Sequence, residues 1–214
     1  HLSTPEEFAF VSAAKKRGLK VYGELVGYQL MFNTTDYKEY GNKIKVAPAL
    51  RTPADQDTNW QLFKEGRIDV VCSEHTPHEW ETKNQPDMWK AQAGTPGIQE
   101  TLPALITGWI KHFGKNTIEE GLMKISEYCA FNPAKIFEFD SKGSVLVGKD
   151  ADLVVVDPSS VWSVKKSDLF SKCGWSAYEG MKLNGRPEKV FLRGELVYNY
   201  GKIIGEAKGK WINH

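Results

Sequence analysis

The feature that most constrains this fold is the alternation of capped helices with short apolar strands. Residues 4–7, Thr-Pro-Glu-Glu, combine an N-cap threonine, a proline at the first helical position and a glutamate three residues after the cap. A helix therefore begins here, and Gly18 ends it. Residues 19–25 and 68–72 have the β-branched, aromatic and aliphatic content of short buried strands. Helices that alternate with buried strands predict an α/β fold.

The second half of the chain changes character. Helices are predicted over residues 96–113, over residues 117–130 behind a second capping box, and from residue 132 onward. From Gly143, short apolar runs separated by glycines predict strands at residues 144–147, 153–156, 189–192 and 195–198. We therefore predict an α/β part over residues 1–140 and a β-rich tail over residues 141–214, with a flexible loop at residues 33–42.

Charge and cysteine content exclude several classes of partner. The 28 basic and 27 acidic residues are spread along the chain and leave a net charge of +1, so neither nucleic acid nor a membrane surface is expected as a partner. The apolar runs are too short to span a bilayer. The three cysteines are odd in number and widely spaced, which predicts reduced thiols and a cytoplasmic location.

Residues 73–78, Ser-Glu-His-Thr-Pro-His, follow directly after an apolar strand. In a (β/α)8 barrel, polar residues at the carboxyl end of a strand build the active site. A carboxylate followed by two histidines and a stiffening proline suits metal chemistry. The alternative is an exposed polar loop whose histidines have no role, and the spacing alone does not decide between the two.

Eight segments occur in one order along the chain: residues 1–4, 46–51, 73–78, 93–97, 132–135, 142–144, 148–153 and 178–180. Together they resemble the C-terminal half of the dihydroorotases, hydantoinases and dihydropyrimidinases, over essentially the whole chain. The resemblance implies the last strands and helices of an amidohydrolase (β/α)8 TIM barrel, followed by part of a small β-sandwich. It also implies that the N-terminal half of the barrel, with its first five strands, is missing from this sequence, which begins at His1 without a methionine.

The resemblance implies a metal centre of two ions, usually zinc. In such enzymes a His-x-His pair, a bridging lysine or carboxylate, two further histidines and an eighth-strand aspartate hold the ions. His1 resembles the sixth-strand ligand, and Glu74 stands at the position of the eighth-strand aspartate. That carboxylate also carries a proton to the leaving amide nitrogen, so Glu74 is the candidate catalytic residue.

Four further residues are candidates for substrate binding. His78 resembles a histidine that contacts the substrate carboxylate in dihydroorotases, and Ala93 and Gly94 match the loop whose backbone meets the ring. Ala47 occupies a position where dihydroorotases commonly have a substrate-binding asparagine. His75 is expected to support the loop, because its side chain points away from that of its neighbour.

Two departures from the family pattern bear on activity. Glutamate at position 74 adds a methylene to a ligand that must reach about 2.0–2.2 Å from zinc, so the geometry has to shift. Residues 24–30 look closer to the hydantoinase version of the seventh strand. With most metal ligands outside this sequence, the 214 residues alone are expected to be inactive.

Residues outside the family pattern have structural interpretations. Arg51 faces either an acidic substrate or a structural partner, and Cys72 is interpreted as a buried strand residue because no base stands beside it. His112 and His214 are expected to face solvent without a role.

The favoured function is a hydrolase that opens a small cyclic amide, dihydroorotate in particular, as a homo-oligomer. His78 and residues 171–175 favour dihydroorotate, whereas residues 23–24 and 178–181 favour hydantoin or dihydropyrimidine substrates. A catalytically degenerate scaffold or subunit is the alternative outside enzymology.

Overall fold

The computed structural model describes residues 1–212, so His214 lies outside the described residues. Within them lie the α-helices α1 Pro5–Lys16, α2 Gly27–Met31, α3 Tyr37–Tyr40, α4 Pro53–Lys64, α5 Trp80–Lys83, α6 Thr101–Phe113, α7 Ile118–Ser126 and α8 Asn132–Ile136. The strands are β1 Glu24–Val26, β2 Val70–Cys72, β3 Leu153–Val156, β4 Val161–Ser163, β5 Lys182–Asn184, β6 Pro187–Leu192, β7 Glu195–Asn199 and β8 Lys202–Ile203. No helix of this part of the chain is long and apolar enough to cross a bilayer.

Parallel pairing organises the first part of the molecule. β1 pairs with β2 in parallel register, from Glu24 opposite Val70 to Val26 opposite Cys72. Leu2 forms a parallel bridge to Leu25 on the other side of β1. Three consecutive parallel segments are thus connected through helices, which is the repeating unit of a β/α barrel.

Helix α1 begins as its sequence predicts. The hydroxyl of Thr4 accepts a hydrogen bond from the Glu7 amide at 3.4 Å, and the Glu7 carboxylate accepts one from the Thr4 amide at 2.9 Å. Reciprocal bonds of this kind satisfy amides that a helix start otherwise leaves unpaired. Helix α4 begins with the same arrangement between Thr52 and Asp55.

The capping box predicted at Thr117 is wrong. Its hydroxyl accepts a hydrogen bond from the Trp109 indole at 3.0 Å and lies 2.9 Å from the Gly114 carbonyl, which accepts from it. A turn of 3-10 helix, Lys115–Thr117, therefore precedes α7, and a π-helical segment, Glu127–Phe131, follows it. The tertiary partner on α6 displaces the local cap.

Two tryptophans fill the core between the parallel strands and the helices. Trp60 of α4 and Trp109 of α6 have no exposed surface. The Trp60 indole donates to the Leu30 carbonyl at 2.9 Å, so the polar atom of the ring is satisfied. Gly108 and Gly121 lie against these two rings, because a Cβ at either position would meet them. Burial of side chains this large contributes about 1.5–3 kcal/mol each.

The tail forms two antiparallel sheets, one in the order β3-β6-β7-β8 and one that joins β4 to β5. A second core cluster connects the smaller sheet to the first part of the chain, since Leu183 of β5 and Val164 after β4 pack with Val26 and Tyr28. The predicted boundary at residue 140 stays a prediction, although the strands of the tail begin only at Leu153.

Several local predictions are wrong. Residues 144–147 form an exposed turn between Gly143 and Gly148, and residues 19–22 form no strand, because Leu19 and Tyr22 face solvent without a neighbouring strand. Residues 33–42 form short helices where a flexible loop was expected. His112 does not face solvent freely, because it stacks on Trp60 with ring centroids 5.2 Å apart.

Candidate metal and substrate site

His1 lies beside two residues that can share a metal ion with it. The bridge from Leu2 to Leu25 sets His1 next to Glu24, with His1 Nε2 3.4 Å from Glu24 Oε1. The thiol of Cys72 completes the group, and the three ligand atoms lie within 4.8 Å of one another. Nitrogen, oxygen and sulfur donors of this kind suit zinc.

Without a bound metal, the surroundings of the Cys72 thiol disfavour its thiolate form. Burial, together with the neighbouring Glu24 carboxylate, raises its pKa to about 12. A reactive cysteine needs the opposite shift, towards the thiolate. The parallel register of β1 and β2 brings Glu24 and Cys72 to His1, and the sequence analysis did not anticipate either as its neighbour.

Glu74 lies at a strained position two residues after β2, and its carboxylate contacts a tyrosine. Its backbone has a φ of 45°, which is uncommon for a residue with a side chain. Its carboxylate accepts a hydrogen bond from the Tyr28 hydroxyl at 2.8 Å. Burial and the Glu74 carboxylate raise the pKa of Tyr28, so this hydroxyl keeps its proton. Among the described residues, the potential metal ligands grouped with His1 do not include Glu74.

His75 ties its own loop to the next one. Its Nδ1 accepts hydrogen bonds from the amides of Gly97 at 3.1 Å and Ile98 at 3.3 Å. Desolvation by burial lowers the pKa of His75, which favours the neutral ring that such an acceptor requires. A parallel bridge between His75 and Thr95 adds to this connection. These contacts agree with a supporting role for His75.

The structure brings His78 together with the loop of Ala93 and Gly94. His78 Nε2 lies 2.9 Å from the Ala93 carbonyl, to which it donates in the matching tautomer. Gly94 has a φ of 123°, and a Cβ there would lie 2.6 Å from the Cβ of Thr76. Only glycine fits where these two loops cross. The indole of Trp175 donates to the His78 carbonyl at 2.8 Å and fixes the loop from the tail side.

Ala47 lies on a neighbouring exposed loop, just before a cis peptide bond to Pro48. Two residues earlier, the carbonyl of Lys45 accepts the amide of Gly94 at 2.9 Å. The loops of Ala47 and Gly94 are therefore in direct contact.

A buried lysine that the sequence analysis missed lies beneath these loops. Lys83, at the end of α5, has no exposed surface and donates to the carbonyls of Lys45 at 2.6 Å and Gln92 at 2.9 Å. Burial, helped by the nearby charge of Lys45 and opposed by Glu74, lowers its pKa to about 8. A lysine within the polar residues 79–85 resembles a solvated residue, so the sequence carries little signal for it.

Arg51 makes a structural hydrogen bond, and its contact with an acidic substrate stays a prediction. Its Nε donates to the hydroxyl of the buried Ser3 at 2.9 Å, and the Ser3 amide donates to Glu7 at 2.6 Å. The arginine therefore connects the loop after Leu50 to the start of α1.

Parallel strands followed by loops that carry a histidine and a carboxylate define part of a TIM-barrel protein, as the sequence predicted. The structure matches an L-hydantoinase (dihydropyrimidinase) from Arthrobacter aurescens with a TM-score of 0.89 and 29% identity, over 96% of this chain and 45% of that one. The model of the amidohydrolase family matches residues 33–197, and the chain belongs to this family. The predicted family and fold class are thereby confirmed.

The relatives of this chain include both allantoinases and dihydroorotases, so their names do not agree on one substrate. An allantoinase from Rubrobacter xylanophilus is 32% identical over 99% of this chain and 46% of its own length. A dihydroorotase from Pyrococcus horikoshii is 35% identical over 88% of this chain and 42% of its own length. The chain thus spans less than half the length of these relatives.

Proposed function

We propose that this chain forms the C-terminal part of a metal-dependent hydrolase that opens a cyclic amide ring, with dihydroorotate as the favoured substrate. The contact between His78 and Ala93 carries the proposal, because it joins the candidate carboxylate-binding histidine to the candidate ring-binding loop. The dihydroorotase from Pyrococcus horikoshii supports the choice of substrate.

The metal-binding part of the proposal rests on His1. Its imidazole, with the carboxylate of Glu24 and the sulfur of Cys72 close by, forms a donor set that fits zinc, provided that the thiol releases its proton when the ion binds. A zinc ion held by these residues would supply Lewis-acid chemistry, polarising a ring carbonyl and lowering the pKa of a water molecule. We expect two zinc ions in the complete protein, with the remaining ligands supplied by the missing half of the barrel.

Glu74 is proposed to carry the proton to the leaving amide nitrogen. The Tyr28 hydroxyl, which keeps its proton, donates to the carboxylate and limits its rotation. A general acid–base group has to lie within hydrogen-bond reach of the atom it serves, so this orientation is part of the proposed chemistry.

The ring is proposed to lie against the loop of Ala93 and Gly94, with Ala47 at the opposite side. A ring N–H would need an acceptor there, and the Ala93 carbonyl, which already accepts from His78, has a second lone pair for it. A substrate carboxylate would then face His78 and would compete with the Ala93 carbonyl for the Nε2 proton.

Ring opening by the complete protein tests the substrate. We expect kcat/KM to be higher for dihydroorotate than for dihydrouracil, hydantoin or allantoin. Replacement of His78 by alanine should lower kcat/KM for dihydroorotate about 10- to 150-fold, because a hydrogen bond to a charged group contributes about 1.5–3 kcal/mol. Dihydrouracil carries no carboxylate and is the internal control. Equal loss on both substrates would contradict the role of His78, and equal wild-type rates on all four would contradict the preference for dihydroorotate.

A hydantoinase, dihydropyrimidinase or allantoinase activity is the second candidate. The match to the Arthrobacter aurescens structure and the allantoinase relative favour it. The same four substrates distinguish it, since the highest kcat/KM then falls on one of the other rings.

A degenerate, non-enzymatic amidohydrolase is the third candidate, and it is favoured because the potential metal ligands grouped with His1 among the described residues do not include Glu74. Metal analysis of the complete protein separates it from the enzyme. Stoichiometric zinc argues against a scaffold, whereas a folded, metal-free protein would remove the hydrolase proposal. A cytoplasmic location and a homo-oligomeric state stay predictions.

A further inference from the structure

We infer that Lys83 is a positioning residue whose buried ammonium group holds together, as a clamp, the two loops that carry the candidate substrate-binding residues Ala47, Ala93 and Gly94. The inference deepens the proposed function and rests on it for its kinetic consequence. Its structural consequence is independent of any substrate.

The two hydrogen bonds of Lys83 reach different loops. One acceptor is the carbonyl of Lys45, two residues before Ala47, and the other is the carbonyl of Gln92, directly before Ala93. The Lys45 carbonyl also accepts the amide of Gly94. The Lys83 ammonium group is therefore bonded to both loops at once.

The buried position of the Lys83 ammonium group indicates that it has a structural partner. Long charged side chains usually extend their ends to water, yet Lys83 has no exposed surface. A buried cation is costly unless hydrogen bonds and a compensating charge accompany it. Here two carbonyls accept from it, and the Glu74 carboxylate favours its charged form. An apolar side chain of the same length would fill the same space but could not donate to these carbonyls. The ammonium group is therefore what connects the two loops.

A second lysine makes more exposed contacts between the same two segments. The Lys45 side chain reaches the carbonyls of Met88 and Ala91 from a half-exposed position. Water can replace hydrogen bonds at an exposed rim but not those of a fully buried group. Lys83 is therefore the residue whose loss removes a buried donor from one carbonyl of each loop, although the Lys45 carbonyl keeps the Gly94 amide.

Substitution of Lys83 by methionine in the complete protein tests the clamp, because methionine keeps the length and removes the donors. We expect KM for the cyclic amide to rise about tenfold, which corresponds to about 1.4 kcal/mol of lost binding. Turnover per metal-loaded molecule should stay near the wild-type value. The amide of Gly94 should also exchange its hydrogen faster. Lys90→Met, at an exposed lysine in the same segment, is the matched control and should change neither KM nor the hydrogen exchange of Gly94.

Three results would decide against the clamp or separate it from the proposed function. A KM unchanged in Lys83→Met overturns the inference, as does unchanged exchange at Gly94. A purely structural lysine would lower the fraction of folded, metal-loaded protein and leave KM as it was. Should Lys83→Met not fold, Lys83→Gln, which retains a shorter donor, is measured in the same way. If the wild-type protein opens no ring, the proposed function fails, and hydrogen exchange at Gly94 still decides the clamp.

Discussion

The hydrogen bond from Tyr28 to Glu74 offers the most direct test of how this site orients its carboxylate. Tyr28 is 3% exposed, and its hydroxyl lies 2.8 Å from the carboxylate oxygen. Tyr28→Phe removes that oxygen and leaves the ring, so packing is retained. Hydrogen bonds to charged groups contribute about 1.5–3 kcal/mol. If the bond holds Glu74 in its working orientation, kcat for ring opening should fall about 10- to 150-fold in the complete protein.

The matched control is Tyr200→Phe, which breaks the same kind of bond at the surface. The Tyr200 hydroxyl donates to Glu188 at 3.0 Å, and Tyr200 is 62% exposed. Water replaces an exposed donor, so this variant should keep the wild-type kcat. Steady-state kinetics at constant metal content measures both. A Tyr28→Phe variant with undiminished kcat would refute the orienting role, and an equal loss in Tyr200→Phe would show that the effect is unspecific.

Three further outcomes follow from the structure. Glu100 is almost fully buried, and this burial raises the pKa of its carboxyl although the hydrogen bond with Ser176 lowers it. The contribution of Glu100 to stability is therefore complete below the unfolded pKa and is lost as the pH rises through the folded pKa. Glu100→Gln should therefore raise the unfolding free energy by about 1–3 kcal/mol at pH 8 and have little effect at pH 4; urea titrations that show the same gain at both pH values would contradict this. At Gly121, a Cβ would lie 2.6 Å from Cγ of Trp109, so Gly121→Ala should cost about 1–3 kcal/mol despite the better helix propensity of alanine. Calorimetry measures this loss, with Glu120→Ala, an exposed position of the same helix, as the control. Equal melting temperatures for the two variants would contradict the prediction. Finally, His1→Ala should lower the zinc content of the complete protein, and an unchanged content by elemental analysis would exclude His1 as a ligand.

Local sequence signals predicted the elements whose causes are local. The capping residues of α1 act through neighbours three positions away, and the structure contains the expected bonds. The same pattern at Thr117 failed, because Trp109 binds that hydroxyl first. Residues 144–147 have strand composition but no partner strand among the described residues, so composition alone could not make them a strand.

The residues of the candidate site likewise fall into those that the sequence predicted and those that it did not. The contact of His75 with the Gly97 amide spans 22 positions, and that of His78 with Ala93 spans 15, yet both belong to loops that were already recognised as functional. Lys83 was missed, because its burial depends on the carbonyls of two loops and not on its neighbours in sequence. Residue type and order can mark a functional loop, but they do not determine which backbone groups a side chain meets.

The glutamate at position 74 shows how a departure from a family pattern can be interpreted physically. The structure has a left-handed backbone at this residue and a hydrogen bond from Tyr28 to its carboxylate, whereas the shift in geometry expected from the extra methylene stays a prediction. Strain of this kind costs about 1–3 kcal/mol and persists only where surrounding contacts enforce it. Tyr28 supplies one such contact from helix α2, directly after β1. The longer carboxylate and the tyrosine therefore form one unit, and the effect of changing either residue has to be judged with the other in place.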